Sequence, residues 1–175
     1  GSYKAGDTLS FTVNTSENVT VVTTGGTPQI ALTIGSTTRQ ATYTTGTGTS
    51  ALVFSYTVQA SETDTDGISV GTLSANGGTL KDAAGNDMNL TLNSVGSTAA
   101  VLVDTTAPTV SIQNAPTAVN STSPFSVTFE FSEDVSGFAV GDILVTNGFA
   151  GNFTTTDANT YSADITPDAG GNIAI

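Results

Sequence analysis

The sequence predicts an all-β chain made of two consecutive β-sandwich units, and three observations lead to this prediction. Apolar residues recur at every second position in short runs, which is the pattern of strands with one buried face. Glycine-rich turns separate these runs, and part of the first run recurs at an offset of 116 residues, as from Glu17 to Glu133. A chain of 175 residues has the length of two small all-β units.

Each predicted strand follows from this alternation. Leu9, Phe11 and Val13 alternate with polar residues, and tight turns such as Asn76-Gly-Gly78 separate the runs. The strands predicted for the first unit cover residues 8–14, 28–34, 38–45, 51–58, 68–73, 79–81, 88–92 and 100–103. Those predicted for the second unit cover residues 110–112, 125–131 and 161–165. No amphipathic helix is predicted anywhere in the chain.

An internal repeat defines the two units. Residues 9–19 align with residues 125–135 without a gap, and both segments end in Ser-Glu-x-Val. Pro108 suits a short, stiff connection between units, so we predict a first unit at residues 1–105 and a second at residues 106–175. Nothing like strand 110–112 precedes Lys4, so we expect the first unit to lack its first strand. We expect the second unit to lack its last strands, and the parent protein to be longer in both directions.

Composition excludes several classes of function. Fifteen acidic residues face three basic ones, a net charge of −12. We therefore expect no nucleic-acid partner and no membrane insertion, and a cation is the partner that such a surface favours. The chain contains no cysteine and no histidine, which removes thiolate and imidazole chemistry and the usual transition-metal ligands. We predict that the protein is not an enzyme.

Several short motifs carry a resemblance to a known family. They are Tyr3-Lys-Ala-Gly-Asp-Thr-Leu-Ser-Phe-Thr-Val13, Ser16-Glu17, Asp64-Thr-Asp-Gly67, Asp82-Ala-Ala-Gly-Asn86 and Val103-Asp-Thr-Thr-Ala-Pro108. At these residues the chain resembles the bacterial immunoglobulin-like repeats of large Gram-negative surface adhesins exported by type I secretion. The resemblance implies immunoglobulin-like sandwiches with Greek-key connections at the bacterial cell surface. It also implies a role as an extender segment of an adhesin, with calcium stiffening the joints between neighbouring repeats.

Strand directions place the acidic residues without using the family. Successive antiparallel strands alternate direction, so the loops after strands 51–58 and 79–81 and the end of strand 100–103 should lie at one end of the first unit. That end should face the loop after strand 125–131. Calcium takes six to eight oxygen ligands, and we predict Asp64, Asp66, Asp82, Asp87, Asp104, Glu133 and Asp134 as its ligands. Glu17, equivalent to Glu133, should occupy a loop at the opposite end and serve a preceding unit.

Other interpretations of these residues remain open. Asp-x-Asp-Gly is also ordinary turn chemistry, in which aspartate accepts hydrogen bonds from nearby backbone amides. A unit without its first strand exposes an edge that could accept a strand from another copy, which would make the chain a strand-exchanging subunit of a filament. A module that binds glycan or protein would need exposed aromatic residues. Phe138, Phe149 and Phe153 are the candidates, whereas we expect Tyr43, Phe54, Tyr56 and Tyr161 to pack in the cores.

Overall fold

The computed structural model describes residues 1–117, 122–169 and 173–175. It divides the chain into two compact units, Gly1–Thr106 and Ala107–Ile175. Within the described residues the regular elements are β-strands and one short 3₁₀ helix, so the all-β prediction is confirmed. In the same residues no helix is long and apolar enough to span a membrane.

The first unit contains nine strands arranged in two sheets. Six of them form one sheet in the order β7-β3-β4-β5-β2-β8, and the other three form a small sheet in the order β1-β9-β6. Their bounds are β1 Ser2–Tyr3, β2 Thr8–Val22, β3 Gln29–Ile34, β4 Thr37–Thr45, β5 Thr49–Thr57, β6 Thr63–Asp64, β7 Ser69–Ser74, β8 Thr79–Lys81 and β9 Leu102–Asp104.

The six-stranded sheet curls back on itself because of one short connection. Strands β7 and β8 lie at its opposite edges, yet only residues 75–78 join them. Leu73 of β7 and Leu80 of β8 accordingly lie in one buried cluster with Ile30, Leu32 and Phe54. The curled sheet thus encloses its own apolar core.

Gly25 lies where this connection meets the turn after β2. A β-carbon built on Gly25 would lie 2.3 Å from the backbone oxygen of Gly77. Real β-carbons do not approach a carbonyl oxygen so closely, because the two atoms would overlap. The turn after β2 and the turn between β7 and β8 can therefore touch only if residue 25 is glycine.

Strand β2 is longer than predicted and has different partners along its length. Thr8 to Asn14 pair with β5, and Thr20 to Val22 pair with β8 on the other side. Between Asn14 and Val19 the pairing with β5 shifts register. Glu17 therefore lies within a strand, and the prediction that it occupies a loop is wrong. The polar sequence from Asn14 to Asn18 forms an irregular stretch of strand rather than a turn.

Three further differences between the predicted and the observed strands have local causes. Residues 88–92 form no strand, although Met88, Leu90 and Leu92 pack against the core as their alternation predicts. Met88 N–H donates to Leu80 O at 2.9 Å, but further along the segment the bonding is local, as where Thr91 N–H donates to the side chain of Asn89. Strand β1 precedes Lys4, where none was predicted, because two residues are too few to show a period. Strand β6 was not predicted for the same reason, since it also has only two residues.

The second unit forms one four-stranded sheet in the order β10-β11-β13-β12. Its elements are β10 Val110–Gln113, β11 Phe125–Phe131, a 3₁₀ helix Val140–Asp142, β12 Gly148–Thr155 and β13 Thr160–Pro167. Strand β12 was not predicted, because its glycine-rich start shows no apolar alternation. Among the described residues the core includes Val127, Phe129, Tyr161, Ala163 and Ile165.

The strands that the sequence repeat aligns have similar pairing in the two units. In the first unit Val13 of β2 lies opposite Leu52 of β5. In the second unit Phe129 of β11 lies opposite Tyr161 of β13. Val13 and Phe129 are the residues that the sequence repeat aligns, so in both units the aligned strand pairs antiparallel with a strand later in the chain.

Candidate functional site

Glu62 lies at the centre of a buried polar network in the loop after β5. Its carboxylate accepts hydrogen bonds from Arg39 Nε, from the Tyr56 hydroxyl and from the Gln59 backbone N–H. Burial opposes ionisation of this carboxylate, but the hydrogen bonds from Tyr56, Arg39 and Gln59 outweigh it and hold the pKa of Glu62 below its usual range. Burial and the hydrogen bond to Glu62 also raise the pKa of Tyr56 to about 12.

Asp64 is buried and uses both carboxylate oxygens to fasten two turns. Oδ2 accepts the Gly35 backbone N–H at 2.7 Å, and Oδ1 accepts the Gly67 N–H at 2.8 Å. Gly35 connects β3 to β4, and Gly67 lies between β6 and β7. The structure thus gives Asp64 the turn-forming role that was left open beside metal binding. Its role as a ligand stays a prediction.

Asp104 and Asp66 lie in the same region and are exposed. Pairing of β6 with β9 puts Asp104 opposite Thr63, and Asp104 Oδ1 accepts the Thr106 N–H at 2.9 Å. Asp66 lies two residues beyond Asp64 in the loop before β7. The structure therefore brings Asp64, Asp66 and Asp104 to one part of the first unit.

Asp82 and Asp87 lie elsewhere, and the prediction that they share an end with Asp64 is wrong. Strand β8 pairs with the far part of β2, next to Val19, whereas Val103, the partner of Asp64, shares a core cluster with Leu9. Ten residues of strand separate Leu9 from Val19, roughly 30 Å at about 3.3 Å per residue. The cause is the continuation of β2 past Asn14, which the sequence did not predict.

The loop that carries Asp82 and Asp87 is closed by its own hydrogen bonds. Asp82 accepts the backbone N–H of Asn86 at 2.8 Å and its side-chain amide at 2.7 Å. These bonds lower the pKa of Asp82. Asp87 pairs with Lys81 at 2.6 Å and is 80 % exposed. Both residues therefore have local partners, and their role as ligands stays a prediction.

Glu133 and Asp134 follow β11 in the second unit. Glu133 Oε1 is buried and has no hydrogen-bond partner, which is unfavourable for a carboxylate. Asp134 is exposed, as is Glu17 on β2 of the first unit. Across residues 1–117, 122–169 and 173–175, no three acidic side chains form a group that could hold a metal ion.

A groove of about 1020 Å³ runs along β2 in the first unit. One wall is residues 10–17 of β2, and the other is the irregular segment 88–98. Apolar side chains from both walls line it, among them Phe11, Val13, Met88 and Leu92. Strand β8 pairs with one edge of β2 at Thr20 to Val22. Along residues 10–17, no strand in the described part of the chain pairs with that same edge.

Phe138 and Phe153 of the second unit pack against Tyr161. The ring of Phe138 lies 5.2 Å from that of Tyr161, and the ring of Phe153 lies 5.7 Å from it. Both phenylalanines pack against the core, so they are not the exposed binding aromatics considered from sequence. Phe149 is 59 % exposed. The expected packing of Tyr43, Phe54, Tyr56 and Tyr161 in the cores is confirmed.

Comparison with known proteins supports the immunoglobulin-like interpretation. Residues 104–174 match the model of a family described as a bacterial Ig-like domain. The second unit is thus similar to that family. The prediction of an all-β, immunoglobulin-like fold is confirmed. No curated protein matches the chain, and no solved structure matches it.

Proposed function

We propose that the chain is a spacer segment of a bacterial extracellular surface protein and has no catalytic role. Support comes from the match of residues 104–174 to a bacterial Ig-like domain and from the sequence repeat, whose aligned strands β2 and β11 each pair antiparallel with a later strand. The residue composition agrees, since the chain has no histidine or cysteine with which to activate a nucleophile. A repeated unit of this kind sets the distance between whatever lies on its two sides.

The single observation that favours a mechanical role is the pairing of β1 with β9. These are the first and last strands of the first unit, and they run parallel, with Ser2 opposite Leu102 and Tyr3 opposite Val103. Leu102 N–H also donates to Gly1 O at 3.0 Å. Tension applied at the two ends of the unit pulls parallel neighbours in opposite directions along their axes. The hydrogen bonds between them are then loaded together rather than one after another.

Force spectroscopy on single molecules of the full chain tests this role. Leu102→Pro removes the donor N–H along with the side chain, and we expect a clear drop in the force that unfolds the first unit. Leu102→Ala removes only the side chain and should lower that force less. Gly25→Ala controls for stability, because it weakens the unit at a site away from β1 and β9. If Gly25→Ala and Leu102→Pro reduced stability equally and force equally, the shear role would be refuted.

We further propose calcium as the ion that stiffens the segment. The predicted ligands in one part of the first unit, Asp66 and Asp104, are exposed, and the partnerless oxygen of Glu133 is the kind of atom that a cation satisfies. Bound calcium would neutralise repulsion among carboxylates in a chain of net charge −12. Calcium would have to gather its ligands, because no acidic group in the described residues is already assembled.

Thermal unfolding tests the calcium proposal separately from the spacer role. We expect millimolar calcium to raise the Tm relative to EDTA, and equal magnesium to raise it less. Asp66→Asn together with Asp104→Asn should reduce the calcium response, whereas Asp142→Asn, an exposed aspartate outside the predicted set, should preserve it. The same Tm in calcium, magnesium and EDTA would refute calcium binding and leave the spacer proposal intact.

A further inference from the structure

Four copies of the motif Asn-x-Ser/Thr, in which x is not proline, lie in the described part of the chain. This motif is the acceptor sequence for attachment of a glycan to the asparagine side chain. The four asparagines are Asn14, Asn18, Asn89 and Asn152, and all four are exposed. A fifth copy, at Asn120, lies outside the described residues. Because asparagine, serine and threonine are frequent in this chain, only the surrounding structure can single out one site.

Three of the four asparagines lie within β-strands. Asn14 and Asn18 belong to β2, and Asn152 belongs to β12. Pairing with neighbouring strands holds such a backbone extended, as where Asn14 lies opposite Ala51, so it cannot enter the cleft of an enzyme without breaking those hydrogen bonds. The amide nitrogen of Asn152 also donates to Asp164 at 2.8 Å. These three asparagines are therefore poor acceptors in the folded chain.

Asn89 lies in the irregular segment 88–98, none of whose residues belongs to a strand. Its side-chain oxygen accepts the Thr91 backbone N–H at 2.9 Å, so a local turn holds the asparagine and the threonine of one motif together. Both residues are exposed, whereas Leu90 and Leu92 pack against the core. Within the described residues no hydrogen bond occupies Asn89 Nδ2 or the Thr91 hydroxyl. The apolar residues thus anchor the segment while the motif faces outward.

An exposed acidic residue precedes this motif. Asp87 lies two residues before Asn89 and is 80 % exposed. Its ion pair with Lys81 lies at the surface, where such pairs are weak and readily exchange partners. At the other three motifs the residue in this position is uncharged, namely Thr12, Ser16 or Ala150. Asp87 therefore gives the Asn89 motif a charged contact for a basic group of an enzyme.

We propose that Asn89 is an N-glycosylation site, modified in the folded chain by a transferase that uses a lipid-linked glycosyl diphosphate. Such a donor is carried by the membrane that an exported chain crosses. The amide nitrogen of Asn89 attacks the anomeric carbon of the sugar, and a carbon–nitrogen bond forms. The bond from that carbon to the diphosphate oxygen breaks, the diphosphate leaves with the bonding electrons, and the nitrogen loses one proton.

The roles of the neighbouring residues follow from their positions. The Thr91 hydroxyl and the Asp87 carboxylate bind the enzyme, and neither takes part in making or breaking bonds. The proposal uses the extracellular location of the chain, and it is independent of the spacer role and of calcium.

Export of the full chain into the periplasm of a bacterium that contains an oligosaccharyl transferase and its lipid-linked glycan tests the proposal. Cleavage before aspartate places Asn89 in a peptide of residues 87–103, or 82–103 if the first site is protected, apart from every other copy of the motif. By mass spectrometry, occupancy at Asn89 should exceed that at Asn14, Asn18 or Asn152 at least tenfold. Adding the purified transferase and donor to the folded chain should give the same preference.

Substitutions separate recognition of the motif from general access to the segment. Asn89→Gln should abolish modification of this peptide, whereas Asn93→Gln, at an exposed asparagine of the same segment outside any such motif, should preserve it. Thr91→Ala should lower occupancy at least tenfold and Thr91→Ser should retain most of it, because both keep the backbone N–H and only serine keeps a hydroxyl. Asp87→Asn should lower occupancy several-fold. Circular dichroism and the Tm report folding of each variant.

Two results would overturn the proposal. The first is an unmodified Asn89 under conditions in which a copy of residues 86–92, appended to the C terminus of the same chain, is modified. The second is equal occupancy at Asn89 and at the strand motifs, since the structure would then select no site. Preferential occupancy of Asn89 in the folded chain, lost in Thr91→Ala and kept in Thr91→Ser, would establish the site.

Discussion

Arg39 and Glu62 form an ion pair in which only the acid is buried. The Glu62 side chain is 3 % exposed, and that of Arg39 is 37 % exposed. A buried carboxylate is tolerated when donors satisfy it, and here Tyr56 and the Gln59 backbone supply the others. The stability of the loop that carries Asp64 therefore depends on the ionisation of Glu62 as well as on packing.

Acid should weaken the first unit through Glu62. Its pKa is depressed in the folded state, and an unfolded glutamate titrates near about 4.3. Its contribution is therefore fully present above that value and is lost as pH falls through the folded pKa. We expect Glu62→Gln to cost about 2 kcal/mol at pH 7 and to flatten the loss of stability as pH falls below the unfolded pKa.

Urea unfolding at several pH values measures this effect. Glu17→Gln is the matched control, because Glu17 is an exposed glutamate of the same unit, and its pH profile should follow that of the unmodified chain. A profile for Glu62→Gln as steep as that of the control would contradict the assignment.

Tyr56 should ionise later than an ordinary tyrosine. Its pKa is raised to about 12, first by burial and then by the hydrogen bond to Glu62. Stability from the neutral hydroxyl is fully present below the unfolded pKa of about 10 and is lost as pH rises through the folded value. Phenolate absorbance should therefore show a late component that Tyr56→Phe removes and Tyr43→Phe retains. An unchanged titration in Tyr56→Phe would rule out this assignment.

Strand positions could largely be predicted from sequence, because burial of one face imposes a period of two residues. Leu9, Phe11 and Val13 show this period, and each is at least partly buried. The continuation of β2 past Asn14 could not be predicted, since Asn14 to Asn18 are polar residues that suit a turn equally well. That one ambiguity led to the wrong location of Asp82 and Asp87.

The Arg39–Glu62 contact had no signal in the sequence. The two residues lie 23 positions apart on different elements, and the pairing of β4 with β5 brings them together. Local contacts were easier to foresee, as with Asp64 and Gly67 in an Asp-x-x-Gly turn. Side-chain pairs distant in sequence depend on the register of every strand between them.

Gly25→Ala should destabilise the first unit by about 2 kcal/mol or more. The added β-carbon would lie 2.3 Å from Gly77 O, so two packed turns would have to separate. Gly96→Ala is the matched control, because nothing lies within 4 Å of its built β-carbon, and it should change stability by at most about 0.5 kcal/mol. Thermal unfolding compares the two, and similar Tm values would contradict the close approach.

Phe138→Ala should destabilise the second unit by about 3 to 4 kcal/mol, since Phe138 contacts four aromatic rings edge-on. Phe149→Ala removes a largely exposed ring and should cost less than about 1 kcal/mol. Near-ultraviolet circular dichroism with urea unfolding measures both variants. A larger loss for Phe149→Ala would reverse the assignment of the two rings.

The irregular stretch of β2 has an evolutionary consequence. From Asn14 to Val19 the strand advances five residues while its partner β5 changes by two, from Ala51 to Thr49. A one-residue slip in a regular ladder would turn every following side chain to the wrong face. Here the additional residues of β2 lie between two segments whose pairing is fixed separately, one ending at Asn14 and one beginning at Val19. Homologous chains can therefore gain or lose residues in this stretch while both flanking ladders keep their alignment. Length variation in this strand should concentrate there.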